Sequence, residues 1–338
     1  MLIREDLRVL RYIGKRLLMM IPIILGISLI ILIMIDLTPG DPARQVMGFS
    51  ASEEQLNEFR EINGLNDPFI VRYGRFLYNA VRGDLGTSYI NHRTVWSELR
   101  VRFPYTLFLA AVSMALSLLV GIPLGIFAAT HQYSWKDNAA IVVSLFCVSM
   151  PSFWFSLILV QLFFVKWRLL PGTGIETWKG WILPVVSLAL GYTATIARQT
   201  RSDMLEVIRQ DFIVTARAKG QTEKKVLYHH ALRNALIPVI TIAGTMFGSS
   251  LSGSLIAEVI FSIPGVGQYT LTALKNRDYP VIQGSVLFLS VVFSLVILIV
   301  DIIYAVIDPR IRSQYSRKRS KKTRSEKNAD NEQKEAAA

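Results

Sequence analysis

The residues able to carry covalent chemistry in this chain are few, and none stands in a catalytic spacing. The four histidines, His92, His131, His229 and His230, form no His-Glu-x-x-His pattern of zinc ligands and general base, and no Gly-x-Ser-x-Gly elbow presents a serine nucleophile. ATP hydrolysis by the chain itself requires a Gly-x-x-x-x-Gly-Lys loop to cradle phosphates, and that pattern does not occur. The single cysteine, Cys147, lies in an apolar run and allows neither an intrachain disulfide nor a thiolate cluster. No catalytic, metal or cofactor-binding residue is expected. Ion-driven carriers place charged groups near the bilayer midplane. The candidates here, Glu258 and Asp301, both fall close to a predicted helix end, where snorkelling and polar pairing accommodate a carboxylate.

With chemistry absent, the elements around these residues carry the argument. Apolar residues make up 51% of the chain and charged ones only 18%, which points to a membrane protein with several charge-poor stretches near the ~20 residues that span a bilayer as helix. Six such segments run from about residues 17–35, 105–130, 138–165, 182–197, 235–260 and 281–307. The first is long and ends in Asp36-Leu37-Thr38-Pro39 without small residues at a cleavage site, so it reads as an uncleaved span. The third contains Pro151; since neither half could cross alone, one kinked helix is expected. The fourth is flanked by Trp178 and Trp181 as interfacial anchors. Gly121-x-x-x-Gly125 and Gly244-x-x-x-Gly248 would allow close helix contact.

The basic residues set the orientation. Residues 1–16, 131–137, 198–234 and the tail after Ile307 hold 24 of the 37 Lys and Arg, against 13 in the longer opposite segments, so both termini are expected in the cytoplasm. The outer segment between the first two spans carries helix signals. Ser52-Glu53-Glu54-Gln55 is a capping box ahead of Leu56, Phe59 and Ile62, with Gly64 as a stop. Phe69, Tyr73, Phe76, Leu77 and Ala80 line one face of a second helix that ends before Gly83. A small helical cap on the outer surface is expected, and the helices from Ser52 to Val81 are candidates for docking a binding protein. The expected organisation is a cytoplasmic N-terminus and first span (1–35), an extracytoplasmic helical segment (36–93), a transmembrane unit (94–307) with an inner loop at 198–234, and a basic, disordered tail (308–338). The tail's Arg317-Lys318-Arg319 and Lys321-Lys322 suit anionic lipid and topology enforcement, with nucleic acid not expected as a partner.

The inner loop is too regular for an idle connection. Met204, Leu205, Ile208, Phe212 and Ile213 recur at helical intervals, Gly220 interrupts, and Thr222 can cap a second helix bearing Val226, Leu227 and His230. Thr215-Ala216-Arg217-Ala218-Lys219-Gly220 followed by His230-Ala231-Leu232-Arg233-Asn234-Ala235 and Pro238 resembles the cytoplasmic coupling loop of binding-protein-dependent ABC importers. The variant is similar to that of dipeptide and oligopeptide permease B subunits. The family's Glu-Ala-Ala-x-x-x-Gly lacks its acid here, where Val214, Thr215, Ala216 and Gly220 occupy the corresponding positions. The resemblance extends over about residues 11–312 through Pro39-Gly40-Asp41-Pro42, Arg82-Gly83-Asp84-Leu85-Gly86, Phe261-Ser262-Ile263-Pro264-Gly265-Val266-Gly267, Asn276-Arg277-Asp278-Tyr279-Pro280 and Asp308-Pro309-Arg310.

What the resemblance implies is an all-α membrane protein with the type I importer permease fold. It is a non-catalytic subunit in a bacterial or archaeal cell membrane that moves di- or oligopeptides inward by alternating access. Its implied partners are a second homologous permease, two ATP-binding subunits that hydrolyse the ATP, an extracytoplasmic substrate-binding protein, peptide and membrane lipid. Asp211, Thr215, Ala216, Arg217, Gly220 and His230 would form the ATPase-coupling loop, with the small residues Ala216 and Ala218 seated in the ATPase and Gly220 flexible. Arg217 and His230 could instead orient the loop internally. Ser144, Ser149, Gln161, Ser249, Ser250 and Ser252 are candidates to line the path. Similar relatives that import nickel chelates or oligosaccharides supply the alternative substrates, and an ion-coupled secondary transporter or a membrane scaffold supplies the competing classes. The orientation is checked by reporter fusions. A fluorescent protein fused after Arg312 is expected to fluoresce, and alkaline phosphatase inserted after Ser50 to be active; the reverse pattern overturns the assignment.

Overall fold

A computed structural model describes residues 2–48 and 50–307. The basic tail and Asp308-Pro309-Arg310 lie outside the described residues. The described chain is helical apart from turns, loops and one isolated bridge between Thr87 and Thr94. In order, the helices are α1 (Leu2–Leu37), α2 (Pro42–Met47), α3 (Glu53–Ile62), α4 (Phe69–Val81), α5 (Val95–Thr130), α6 (Trp135–Ser149), α7 (Ser152–Leu159), α8 (Ile182–Ile208), α9 (Asp211–Ala218), α10 (Glu223–Lys225), α11 (Leu232–Gly253), α12 (Leu255–Ile260), α13 (Val266–Asn276) and α14 (Tyr279–Ile307). Among the described residues five helices are long and apolar enough to cross a membrane, and α6 with α7 makes a sixth when the bent pair counts as one span.

That bent pair departs from the sequence expectation. The helices on either side of Pro151 meet at 98°, a break and not a kink. Met150 is extended (φ −75°, ψ 130°) because the ring of a following proline disfavours the helical region at the residue before it. Helix α7 then runs on into a π-helical stretch, Val160–Lys166. The expected fifth span likewise divides, since α11 ends at Gly253 and α12 restarts after Ser254.

Helices α5 and α8 form the central contact. A Cβ on Gly121 would lie 2.9 Å from the Thr193 carbonyl, and one on Gly125 would lie 2.6 Å from that of Ala197 and 2.5 Å from Thr200 Cβ. The two backbones approach as closely as glycine permits, which in lipid replaces the hydrophobic drive available in water. Ser117 Oγ donates across the same contact to the Ala189 carbonyl at 3.0 Å. In the second small-residue pair the room is taken by side chains, where α11 packs on α14 with Val300 over Gly244 and Phe293 over Gly248.

On the outer side, segments distant in sequence meet. The Asp278 carboxylate accepts from Ser88 Oγ and from the Tyr89 N–H at 3.0 Å. Arg277, held left-handed at φ 56°, donates to the Pro39 carbonyl. Glu258 shows the expected polar pairing, without snorkelling. It is fully buried and accepts from Thr106 Oγ1 (2.8 Å), Ser254 Oγ (2.8 Å) and the Gln268 N–H (2.9 Å). Gly265 and Gly267 pass so close to this carboxylate that a Cβ at either would strike it, which accounts for the glycines of that turn. Asp301 pairs with Arg16 at 3.1 Å.

Gly125→Leu is expected to destabilise the purified protein by about 1–3 kcal/mol in thermal unfolding through overpacking. Gly26→Ala in α1, with nothing within 4 Å of the new methyl group, should lose no stability; equal effects of the two would contradict the packing described.

Candidate functional site

The inner loop holds one free-standing short helix, α9; the helix expected after Thr222 forms as α10 and the π-helical turn Val226–Ala231, and runs on into α11. Met204, Leu205 and Ile208, expected in a separate loop helix, belong to the last turns of α8, which runs to Ile208. The α8 chain turns at Arg209 and extends at Gln210 (φ −78°, ψ 151°), and α9 begins with Asp211 in its first turn, where a carboxylate complements the helix dipole.

Helix α9 rests on the bundle by one face. Ile213 and Ala216, three residues apart and so on the same side, pack into a buried cluster. The cluster draws Ile126 and Ala129 from α5, Met204 and Val207 from α8, Val226 and Ala231 from the π-helical turn Val226–Ala231, and Ala235 from α11. The helix packs chiefly on the π-helical turn and through it shares one core with the inner ends of three spans. Its opposite face exposes Phe212, Val214, Thr215 and Ala218. Ala216 is 8% exposed and packs into the cluster, because helical geometry turns it about 100° from Thr215.

Gly220 has a different role from the flexibility expected. At φ 72° it is the left-handed residue of a Schellman motif: its N–H donates to the Arg217 carbonyl (2.9 Å), and the Gln221 N–H to that of Ala216 (3.3 Å). It is a fixed stop. Arg217 and Glu223 bridge this turn with two hydrogen bonds, 2.6 and 3.2 Å long. That hydrogen bond, opposed by partial burial, raises the Arg217 pKa above its ordinary value. Thr222 stands at the N-cap of α10 without a capping hydrogen bond from its side chain. His230 is half-buried; its ring meets His229 edge to face, its Nε2 makes no hydrogen bond with a described residue, and its carbonyl accepts from Asn234 Nδ2 at 2.9 Å.

A second fastening was missed from the sequence. Asp137, 1% exposed, accepts from Arg201 Nε at 2.6 Å and Nη2 at 2.7 Å, in a two-pronged ion pair. It also accepts from the Tyr133 N–H, while its own N–H donates to Ser134 Oγ. The α5–α6 turn is thereby bound to α8 just before α9. Ser134 three residues ahead of Asp137 is a legible capping signal, but nothing local points to Arg201, 64 residues on.

The candidate path residues do not share one environment. Ser149, Gln161, Ser249 and Ser252 are exposed and Ser144 is half-exposed, whereas Ser250 is buried and donates to the Phe247 carbonyl at 2.7 Å. Among the described residues no group of three or more His, Cys, Asp or Glu is placed to hold a metal ion.

Comparison with known proteins bears on this arrangement. Residues 121–313 match the family profile described as binding-protein-dependent transport system inner membrane component, and residues 9–110 match that family's N-terminal membrane component. The glutathione transport system permease protein GsiC of Escherichia coli K12 is 38% identical over 303 residues, covering 90% of this chain and 99% of that protein. The protein of the same name from Salmonella paratyphi A is 39% identical over the same extent. Among solved structures, an inward-facing MetNI methionine ABC transporter aligns with a TM-score of 0.54 at 19% identity, covering 62% of this chain and 96% of the solved one.

Loss of the buried ion pair should matter far more than loss of the exposed one. Asp137→Ala is expected to cost about 2–4 kcal/mol in unfolding, short of a wholly buried pair because Arg201 keeps 21% of its side chain exposed. Glu223→Gln should cost less than about 1 kcal/mol. Comparable losses would contradict the fastening role of Asp137.

Proposed function

Because this chain belongs to the family of binding-protein-dependent transport system inner membrane components, the non-catalytic permease subunits of ABC importers, we propose that it admits peptides to the cytoplasm and is driven through α9. The family is multi-pass in the inner membrane, and its ATP is hydrolysed by partner subunits. The peptide reading is supported by relatives named for the transport of glutathione, itself a tripeptide, and by the peptide-permease form of the loop. The set of partners is a second related permease, two ATPases and an extracytoplasmic binding protein.

The observation that carries the coupling assignment is the two-sidedness of α9. One face, through Ile213 and Ala216, sits on the π-helical turn in a core shared with α5, α8 and α11, and the other presents Phe212, Val214, Thr215 and Ala218 outward. A partner ATPase that grips the outward face moves three spans together, because their inner ends share one core. The Asp137–Arg201 pair passes the same displacement to α6 and so to the break at Pro151. Transport then requires two arrangements of one packed bundle and no covalent step on the solute. Ser144, Ser149, Gln161, Ser249 and Ser252 remain the path candidates, with Ser250 directed into the protein.

The Schellman stop provides the test. A Cβ at Gly220 meets nothing within 4 Å, so Gly220→Val acts through its left-handed φ, at about 1–2 kcal/mol, and not through a clash. Gly220→Val is expected to insert and assemble normally but to lose ATP-driven uptake of labelled dipeptide and glutathione severalfold. Gly220→Asn, which tolerates that backbone, should retain it. Undiminished uptake in the valine variant would remove the coupling assignment.

A further inference from the structure

The second outer helix sits deeper than a surface cap. Neighbouring residues of α4 reach to different levels of the first span. Arg72 pairs with Asp36, one residue from the end of α1. Tyr73 instead donates its hydroxyl to the Leu25 carbonyl at 2.9 Å and lies 3.1 Å from Ser28 Oγ. Leu25 and Asp36 are separated by about 16 Å along a helix axis. Leu25 is therefore near the middle of the apolar run 17–35, about half a bilayer from the outer boundary. A tyrosine side chain is much shorter than that half-thickness, so the α4 backbone at Tyr73 lies below the boundary. The hydrogen bonding agrees, since a phenol in hydrocarbon needs an acceptor inside the protein.

The exposed surface of α4 suits such a depth. Ile70, Gly74, Tyr78 and Val81 recur at helical spacing along its outward side, with Ile70 75% and Val81 89% exposed. In the outer half of α1, Ile30, Ile33, Met34 and Leu37 are also exposed. The arginines on and next to α4 are neutralised or stacked: Arg72 by Asp36, Arg75 by Asp67, and Arg82, just past its end, over the Tyr78 ring at 4.0 Å. Helix α3 is unlike it, with Glu53, Glu54, Glu58 and Glu61 all exposed.

We infer that α4 is embedded in the outer leaflet beside α1, with Ile70, Tyr78 and Val81 against lipid acyl chains, and that of the two cap helices only α3 faces water. The first span is thereby widened on its outer half by a helix that does not cross. Any contact with an extracytoplasmic protein along residues 52–81 falls to the acidic face of α3.

Spin labels test this in the assembled transporter carrying Cys147→Ala, reconstituted in vesicles of phosphatidylethanolamine and phosphatidylglycerol. Single cysteines replace Ile70, Tyr78 and Val81 on α4, and Glu54 and Glu58 on α3. All five positions are exposed, and replacing Tyr78 gives up only the stacking of Arg82 on its ring. The ratio of collisions with oxygen to collisions with a water-soluble nickel chelate is expected to be severalfold higher at the three α4 positions. As an independent readout, tryptophan in Tyr78→Trp should be quenched by lipids brominated on their acyl chains. Free access of the chelate to α4 would return the helix to the aqueous surface. Exclusion of both oxygen and chelate would mean that protein, such as the second permease, covers the stripe, and either result overturns the inference.

Discussion

The backbone contact between α5 and α8 is the constraint on which the other elements depend. Gly121 and Gly125 let the two helices meet at carbonyl distance, and Ser117 adds a hydrogen bond to the Ala189 carbonyl. Below this contact the two helices contribute Ile126, Ala129, Met204 and Val207 to the seat of α9. Toward the outer side, the same pair contributes Leu109, Leu183, Val185 and Leu188 to the core against α7 and α12. Side chains of ordinary size at the two glycines would separate the helices and disturb both ends together.

Around that axis, buried polar groups fix loops that apolar packing alone would leave free to slide. Hydrocarbon offers no water to an unpaired donor or acceptor, so a buried carboxylate is tolerated only where the chain folds around it. Glu258 gathers Thr106, Ser254 and the Gln268 N–H, and so joins α5 to the glycine turn ahead of α13. Asp278 binds the loop that follows α4, and Asp137 binds the α5–α6 turn to α8. These are fastenings at the ends of spans, where a rigid-body motion of the bundle must be transmitted and not absorbed.

The candidate coupling element follows the same logic. An eight-residue helix is too short to be stable alone, and α9 takes its order from the shared core under Ile213 and Ala216. The Schellman turn at Gly220 and the Arg217–Glu223 bridge then set where it stops. A stiff, well-terminated helix transmits displacement, whereas a flexible glycine would have dissipated it.

Much of this was legible in the sequence because it depends on neighbouring residues. Hydropathy over contiguous stretches located the spans, the excess of Lys and Arg indicated their orientation, the Ser52–Gln55 capping box predicted the start of α3, and the Thr215–Gly220 motif located the loop. The 98° break at Pro151, the inward turn of Ala216, the pairing of Asp137 with Arg201, the enclosure of Glu258 and the depth of α4 were decided only in the tertiary structure. Each of these sets a direction or a partner through contacts between residues far apart in the chain, and local periodicity carries no information about which distant group a side chain will meet.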